Sequence, residues 1–193
     1  MKDFLTVTFS SFILSVTLWI IWFFFLNFDA NSLSDLFPSL FYLPHAARVL
    51  CIVYFGYKAI PGLYLAELWG PLYVIPGAYG IEPLLTPLIS VLSVPLALET
   101  LALLGFKLGR NIESPLNKRN YKHLALITII SAVFNSFLVN LYVEGSSITT
   151  SQNLNDVLTF FMGDIIGTTL VFIVLAIILK PLFVRNNKIN HSR

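Results

Sequence analysis

Six stretches of mostly apolar residues follow one another along the chain, each about as long as a membrane-spanning helix. They cover residues 4–26, 39–57, 61–79, 84–106, 123–143 and 156–180. The polar segments between them are too short to fold alone. The pattern predicts an all-α fold, a polytopic integral membrane helix bundle of about six transmembrane helices. Residues 1–193 form one domain in this interpretation, with no soluble domain.

Proline interrupts the third and fourth stretches at five positions, which makes them the least regular. A proline inside a membrane helix removes a backbone hydrogen bond and needs neighbouring protein to satisfy the freed carbonyl. Two interpretations stay open, kinked helices or one re-entrant segment broken between Gly70 and Gly80. The prolines are Pro71, Pro76, Pro83, Pro87 and Pro95.

Basic residues are segregated along the chain in a way that predicts its orientation. With six spans, the segments on one side hold eleven of the twelve Lys and Arg residues. The opposite loops, 27–38, 80–83 and 144–155, hold none. By the positive-inside rule, both termini are expected in the cytoplasm, in a multi-pass protein of the inner cell membrane.

Composition narrows the function classes. Hydrophobic residues make up 56% of the chain and charged residues only 11%, against about a quarter charged in soluble domains. Because no catalytic or phosphate-binding motif is present, the chain is not expected to be an enzyme. Nucleic-acid binding is not expected, since the net charge is only +2. With Cys51 as its only cysteine, no intrachain disulfide and no metal centre are predicted, and the sequence identifies no cofactor.

Four charged residues lie inside the predicted spans, where each normally needs a partner. Counting from the helix ends places Arg48 and Asp164 at one level, so they are the first-choice pair. Glu67 and Glu99 share a level in the inner half, where repulsion would require a proton, a cation or a substrate between them. Glu67 is also a second partner for Arg48 in this interpretation. The alternative is structural: the Arg–Asp pair fixes helix register, and neighbouring hydroxyls cap the two glutamates.

Three further features add to this picture. Gly163 and Gly167 flank Asp164 in a small-xxx-small spacing that indicates close helix packing. His45, near the outer end of the second span, is either a pH-sensing group or a solvated loop histidine. Trp19 and Trp22, at the outer end of the first span, are typical of an interfacial aromatic belt.

Two separated motifs, in a fixed order, resemble a known family. The first is the stretch Leu43-Pro44-His45-Ala46-Ala47-Arg48 with the following Phe55-Gly56 and Pro61-Gly62; the second is Gly163-Asp164-Ile165-Ile166-Gly167. Together they are similar to the first class of membrane-associated sensor (MASE) domains, the integral membrane sensory domains of bacterial histidine kinases and diguanylate cyclases. That family usually has about eight spans and a fused cytoplasmic output domain. The resemblance implies sensing of an unidentified ligand or membrane partner, with a signal passed to a separate protein.

Three functions therefore remain open. The first is a freestanding membrane sensory or regulatory domain that signals through the basic 107–122 loop. The second is a small transporter or substrate-binding subunit, similar in size and topology to the S-components of vitamin transporters, with Arg48, Glu67 and Glu99 lining a pocket. The third is an accessory structural subunit of a larger membrane complex. The lipid bilayer is the expected surrounding in all three, and a separate membrane or cytoplasmic protein partner is expected. For a subunit similar to the S-components, the partners would be an ATPase module and a coupling subunit.

Overall fold

A computed structural model describes residues 2–28, 41–74, 82–106, 121–144 and 150–190. These residues form α-helices joined by a short 3₁₀ turn, with no strand among them. The helices are α1 (Lys2–Phe28), α2 (Pro44–Phe55), α3 (Ile60–Val74), α4 (Glu82–Leu103), α5 (Tyr121–Glu144) and α6 (Thr150–Asn190), with the turn Gly56–Ala59 between α2 and α3. The all-helical prediction is confirmed.

Five stretches of the described residues are long and apolar enough to cross a membrane. They are Lys2–Phe24, Pro44–Trp69, Leu84–Leu103, Lys122–Tyr142 and Leu154–Ile178. Large apolar side chains also cover the outside of the bundle, as expected where the solvent is hydrocarbon. The chain is thus a helical protein with several membrane-length helices. Six spans with both termini in the cytoplasm stay a prediction.

The second of these stretches does not run straight. Its two helices meet at Gly56, whose φ of 67° lies in the left-handed region that glycine adopts without strain. A straight helix would separate Arg48 from Glu67 by about 28 Å. Arg48 Nε instead lies 3.4 Å from Glu67 Oε1, so the chain reverses and α2 and α3 form an antiparallel hairpin.

The N-terminal part of α1 packs against the closed end of this hairpin. The Thr8 hydroxyl donates to the Lys58 carbonyl at 3.4 Å. A Cβ at Gly62 would collide with the Thr8 carbonyl, so the backbones of α1 and α3 approach more closely here than any larger residue would permit.

The prolines of α4 do not end the helix. Pro87 and Pro95 both lie inside Glu82–Leu103. In the first turn of α4, the carbonyl of Leu84 accepts a hydrogen bond of 3.2 Å from the Tyr64 hydroxyl of α3, which ties the two helices together near Pro87. α3 likewise continues through Pro71 to Val74. The region between α3 and α4, where a broken segment was considered, lies outside the described residues.

Helix α2 is the centre of the bundle. Its residues from Pro44 to Val53 are all buried, and it contacts α1, α3, α4, α5 and α6. A helix buried on every side is normally apolar throughout. α2 nevertheless carries His45 and Arg48, and both are fully buried. The site is therefore built around these two side chains.

Candidate functional site

The Arg48 guanidinium joins groups from three other helices. Its Nη1 donates to Asn135 Oδ1 of α5 at 3.2 Å. Its Nε lies 3.4 Å from Glu67 Oε1 of α3, and its Nη2 lies 3.9 Å from Asp164 Oδ1 of α6. The predicted proximity of Arg48 to Asp164 is confirmed, and Glu67, the second partner, is the nearer of the two acids.

An aromatic group covers the same guanidinium. The Arg48 Cζ atom lies 5.3 Å from the centre of the Tyr42 ring, within the range of a cation–π interaction. The Tyr42 hydroxyl donates to Glu67 Oε2 at 3.3 Å. Trp19 and Trp22 of α1 meet the Tyr42 ring edge to face, with centroids 5.6 and 5.3 Å away. Trp19 is only 6% exposed, so its assignment to an interfacial belt is wrong: it packs against the ring that covers Arg48.

Asp164 is held in place from two directions. Asn135 Nδ2 donates to its Oδ2 at 2.7 Å, so one amide side chain binds both Arg48 and Asp164. The backbone of α6 is fixed at the same level, because the Tyr42 N–H donates to the Gly163 carbonyl at 3.2 Å. A Cβ at Gly167 would lie 2.5 Å from the Tyr42 carbonyl. Gly167 and the Gly163 carbonyl thus hold α6 against Tyr42, which precedes α2, where a helix–helix contact was expected.

His45 lies on the other side of Asp164 and is fully buried, so the solvated-loop interpretation is wrong. Its Nε2 lies 3.0 Å from the Ser131 hydroxyl of α5. Its Nδ1 lies 3.6 Å from Asp164 Oδ2, an ion-pair distance that is too long for a hydrogen bond.

We call Tyr42, His45, Arg48, Glu67, Asn135 and Asp164 the central cluster. None of its charged or imidazole side chains is more than 3% exposed. Five of its buried atoms have no hydrogen-bond partner among the described residues, namely His45 Nδ1, Arg48 Nε, Arg48 Nη2, Glu67 Oε1 and Asp164 Oδ1. The cluster therefore has both donors and acceptors available at the centre of the bundle, where no bulk water can satisfy them.

Glu99 belongs to a different place. It is exposed on α4, and the Tyr57 hydroxyl of the turn donates to its Oε1. The two side chains line a groove of about 450 Å³ that is otherwise apolar, formed by α4 residues between Ile89 and Leu96 together with Leu138. Glu67 binds Arg48 and Tyr42 instead, so the expected repulsive pair of glutamates is not formed.

Sequence reasoning singled out most of the cluster and missed Tyr42. Asn135, a polar residue within the fifth apolar stretch, makes two bonds between helices, one with Arg48 and one with Asp164. Tyr42 precedes the helix, and nothing in the hydropathy pattern distinguishes it from the other aromatic residues of the chain. The signal that could have found it is its position three residues before His45, at the same end of α2 as the charged groups.

The cluster residues are not arranged as a metal site. Among the described residues, no group of three or more His, Cys, Asp or Glu side chains could hold a metal ion. What the arrangement can do is hold charge, exchange a proton or bind a small polar group. The chain matches no family model, no curated protein and no solved structure.

Proposed function

We propose that this protein is a membrane sensory or regulatory domain whose state is set at the central cluster and passed to a separate protein. The observation that carries the proposal is the position of Arg48. One fully buried side chain on the central helix contacts groups of α3, α5 and α6 at once. A change of charge or partner at this point therefore bears on the packing of four helices.

Helix α6 supplies a route out of the membrane region. It runs from Thr150 to Asn190, while its apolar stretch ends at Ile178. Asp164 is thereby connected by continuous helix to a segment that extends about 18 Å beyond the apolar part. Lys180, Arg185 and Lys188 lie in this segment. A shift of α6 at Asp164 would move this basic part of the helix, to which we assign the contact with a partner protein. This route replaces the 107–122 loop, most of which lies outside the described residues.

The test is native mass spectrometry of the full chain, gently extracted from its own host membrane. Wild type is compared with Asp164→Asn, which removes a charge from the cluster, and with Glu99→Gln, which removes one away from it. We expect wild type and Glu99→Gln to retain a signalling enzyme, such as a kinase or a cyclase, in fixed stoichiometry. Asp164→Asn should insert normally and change either that association or the enzyme's output. Unchanged output in Asp164→Asn would contradict the proposal.

The second candidate is a transporter or substrate-binding subunit. It is favoured by the five cluster atoms that make no hydrogen bond among the described residues, since they meet charged neighbours only at 3.4 to 3.9 Å and a small solute carrying both a donor and an acceptor would supply the missing hydrogen bonds. In the same experiment, a retained solute or an ATPase pair in wild type, lost in Asp164→Asn, would establish this function. A large stoichiometric assembly without either would favour an accessory structural subunit.

A further inference from the structure

The hydrogen bonds around His45 determine which of its ring nitrogens carries a proton. The Ser131 hydroxyl donates to the carbonyl of Thr128 at 3.1 Å, so its single hydrogen is already used. Toward His45 Nε2, 3.0 Å away, the same oxygen can only accept. Nε2 is therefore the donor of this pair and carries a hydrogen.

The other ring nitrogen then faces an acid. With Nε2 protonated, a neutral His45 has a bare lone pair at Nδ1. This lone pair lies 3.6 Å from Asp164 Oδ2, and both side chains are fully buried. Two acceptors facing each other in a site without water repel, unless a proton lies between them.

The charges of the neighbouring groups also indicate that the cluster holds a further proton. Arg48 of α2 is the one cation of the cluster, and Glu67 of α3 and Asp164 of α6 are its two acids. The remaining neighbours are the Tyr42 hydroxyl, the Ser131 and Asn135 side chains of α5, and Trp19 of α1, all of them uncharged. Without a further proton the cluster has a net charge of −1 in the centre of the bundle, which is costly at such a depth.

We propose that one proton lies between His45 Nδ1 and Asp164 Oδ2, bound to one of them and facing the other across 3.6 Å, which makes the cluster neutral and joins α2 to α6 by a close electrostatic contact. Glu67 does not need the further proton, because one of its oxygens faces Arg48 Nε and the other accepts a hydrogen bond from the Tyr42 hydroxyl. Only the His45–Asp164 contact pairs two groups that lack a proton between them. The inference rests on this contact alone and does not require the signalling role.

Release of this proton would weaken the contact between α2 and α6. It would restore the facing lone pairs and the net negative charge at the level where Tyr42 meets Gly163 and Gly167. An unfolded chain above about pH 7 leaves Asp, Glu and most His unprotonated. The folded state then holds one proton more, so its stability falls as the pH rises.

The test is unfolding of the purified full chain in mild detergent between about pH 7 and about pH 9. For wild type we expect the folding equilibrium constant to fall by up to about tenfold per pH unit. Asp164→Asn makes the cluster neutral without the proton, so this dependence should disappear. Glu99→Gln should keep the wild-type slope. A slope in Asp164→Asn equal to that of wild type, or no slope in wild type, would overturn the proposal.

A second measurement avoids any dependence on the folding of a cluster variant. Nitrogen NMR of wild type labelled at histidine reports each ring nitrogen, and His123→Gln and His191→Gln identify the His45 signals by elimination. His123 is exposed and serves as the internal reference for a solvated ring. We expect the His45 Nδ1 signal to be that of a nitrogen that carries a proton or faces one. The signal of a bare Nδ1 lone pair would exclude a proton at this contact.

Discussion

The central cluster and the Glu99–Tyr57 pair accommodate an acidic residue of an apolar helix in two different ways. In the cluster, Asp164 is fully buried and has Asn135, Arg48 and His45 around it. On the surface of α4, Glu99 remains exposed and accepts a hydrogen bond from the Tyr57 hydroxyl beside an apolar groove.

The comparison shows that depth along a helix does not decide what an intramembrane acid does. The partner that faces it decides. A cation buried between helices ties the acid to the packing of the whole bundle, whereas a hydroxyl at the surface ties it only to a turn. The predictions below are ordered by how strongly each would test this difference, from the largest expected effect to the smallest.

Replacing Arg48 by Ala should have the largest effect, a loss of about 3–5 kcal/mol in the free energy of unfolding, because Glu67 and Asp164 would remain buried without a cation. The measurement is denaturant unfolding in detergent. Lys58→Ala, an exposed cation at the hairpin turn, is the matched control and should cost less than about 0.5 kcal/mol. Equal effects of the two variants would mean that the cluster does not organise the bundle.

Gly167→Ala should rank second, with a loss of about 1–3 kcal/mol from overpacking. The added Cβ would lie 2.5 Å from the Tyr42 carbonyl, and this is backbone that cannot rotate away. Thr169→Ala, at an exposed position on the same helix, supplies the control in the same unfolding assay. If Gly167→Ala is as stable as Thr169→Ala, α6 does not approach the Tyr42 segment as described.

These two predictions involve the parts of the site that the sequence revealed to different degrees. The level of Arg48 and Asp164 could be derived by counting residues from predicted helix ends, since the rise of a helix is constant. The small-xxx-small spacing likewise indicated a close approach at Gly167. Its partner could not be predicted, because Tyr42 lies outside a helix and has no periodicity that would place it.

Rotation about a helix axis is the other quantity that counting does not supply. Glu67 and Glu99 were placed at one level, which left open whether they face each other. In the structure, Glu67 points to the central helix and Glu99 to the surface. His45 was misplaced for a similar reason. A residue near the predicted beginning of a helix is expected to be solvated, but the beginning of α2 is covered by the surrounding helices.

Asn135→Ala should have an intermediate effect of about 1–2 kcal/mol. It removes two hydrogen bonds between helices, one from Arg48 and one to Asp164, and such bonds in membranes contribute about 0.6 kcal/mol on average. The control is Asn140→Ala on the same helix, where the lost amide bond goes only to the carbonyl of Ser136. Unfolding free energies of both variants give the difference, and a larger loss at Asn140 would contradict the bridging role of Asn135.

The Glu99–Tyr57 pair should have the smallest effect. Glu99→Gln and Tyr57→Phe should each cost less than about 1 kcal/mol, because Glu99 is exposed and lies about one turn before the end of α4 at Leu103, where water can replace a lost partner. A double-mutant cycle isolates the coupling between them, and we expect it to be a small fraction of the Arg48–Glu67 coupling measured in the same way. A coupling between Glu99 and Tyr57 as large as that between Arg48 and Glu67 would mean that exposure does not weaken the interaction of an acid with its partner. The depth of an acid would then matter more than the partner that faces it, and the distinction between the two regions would fail.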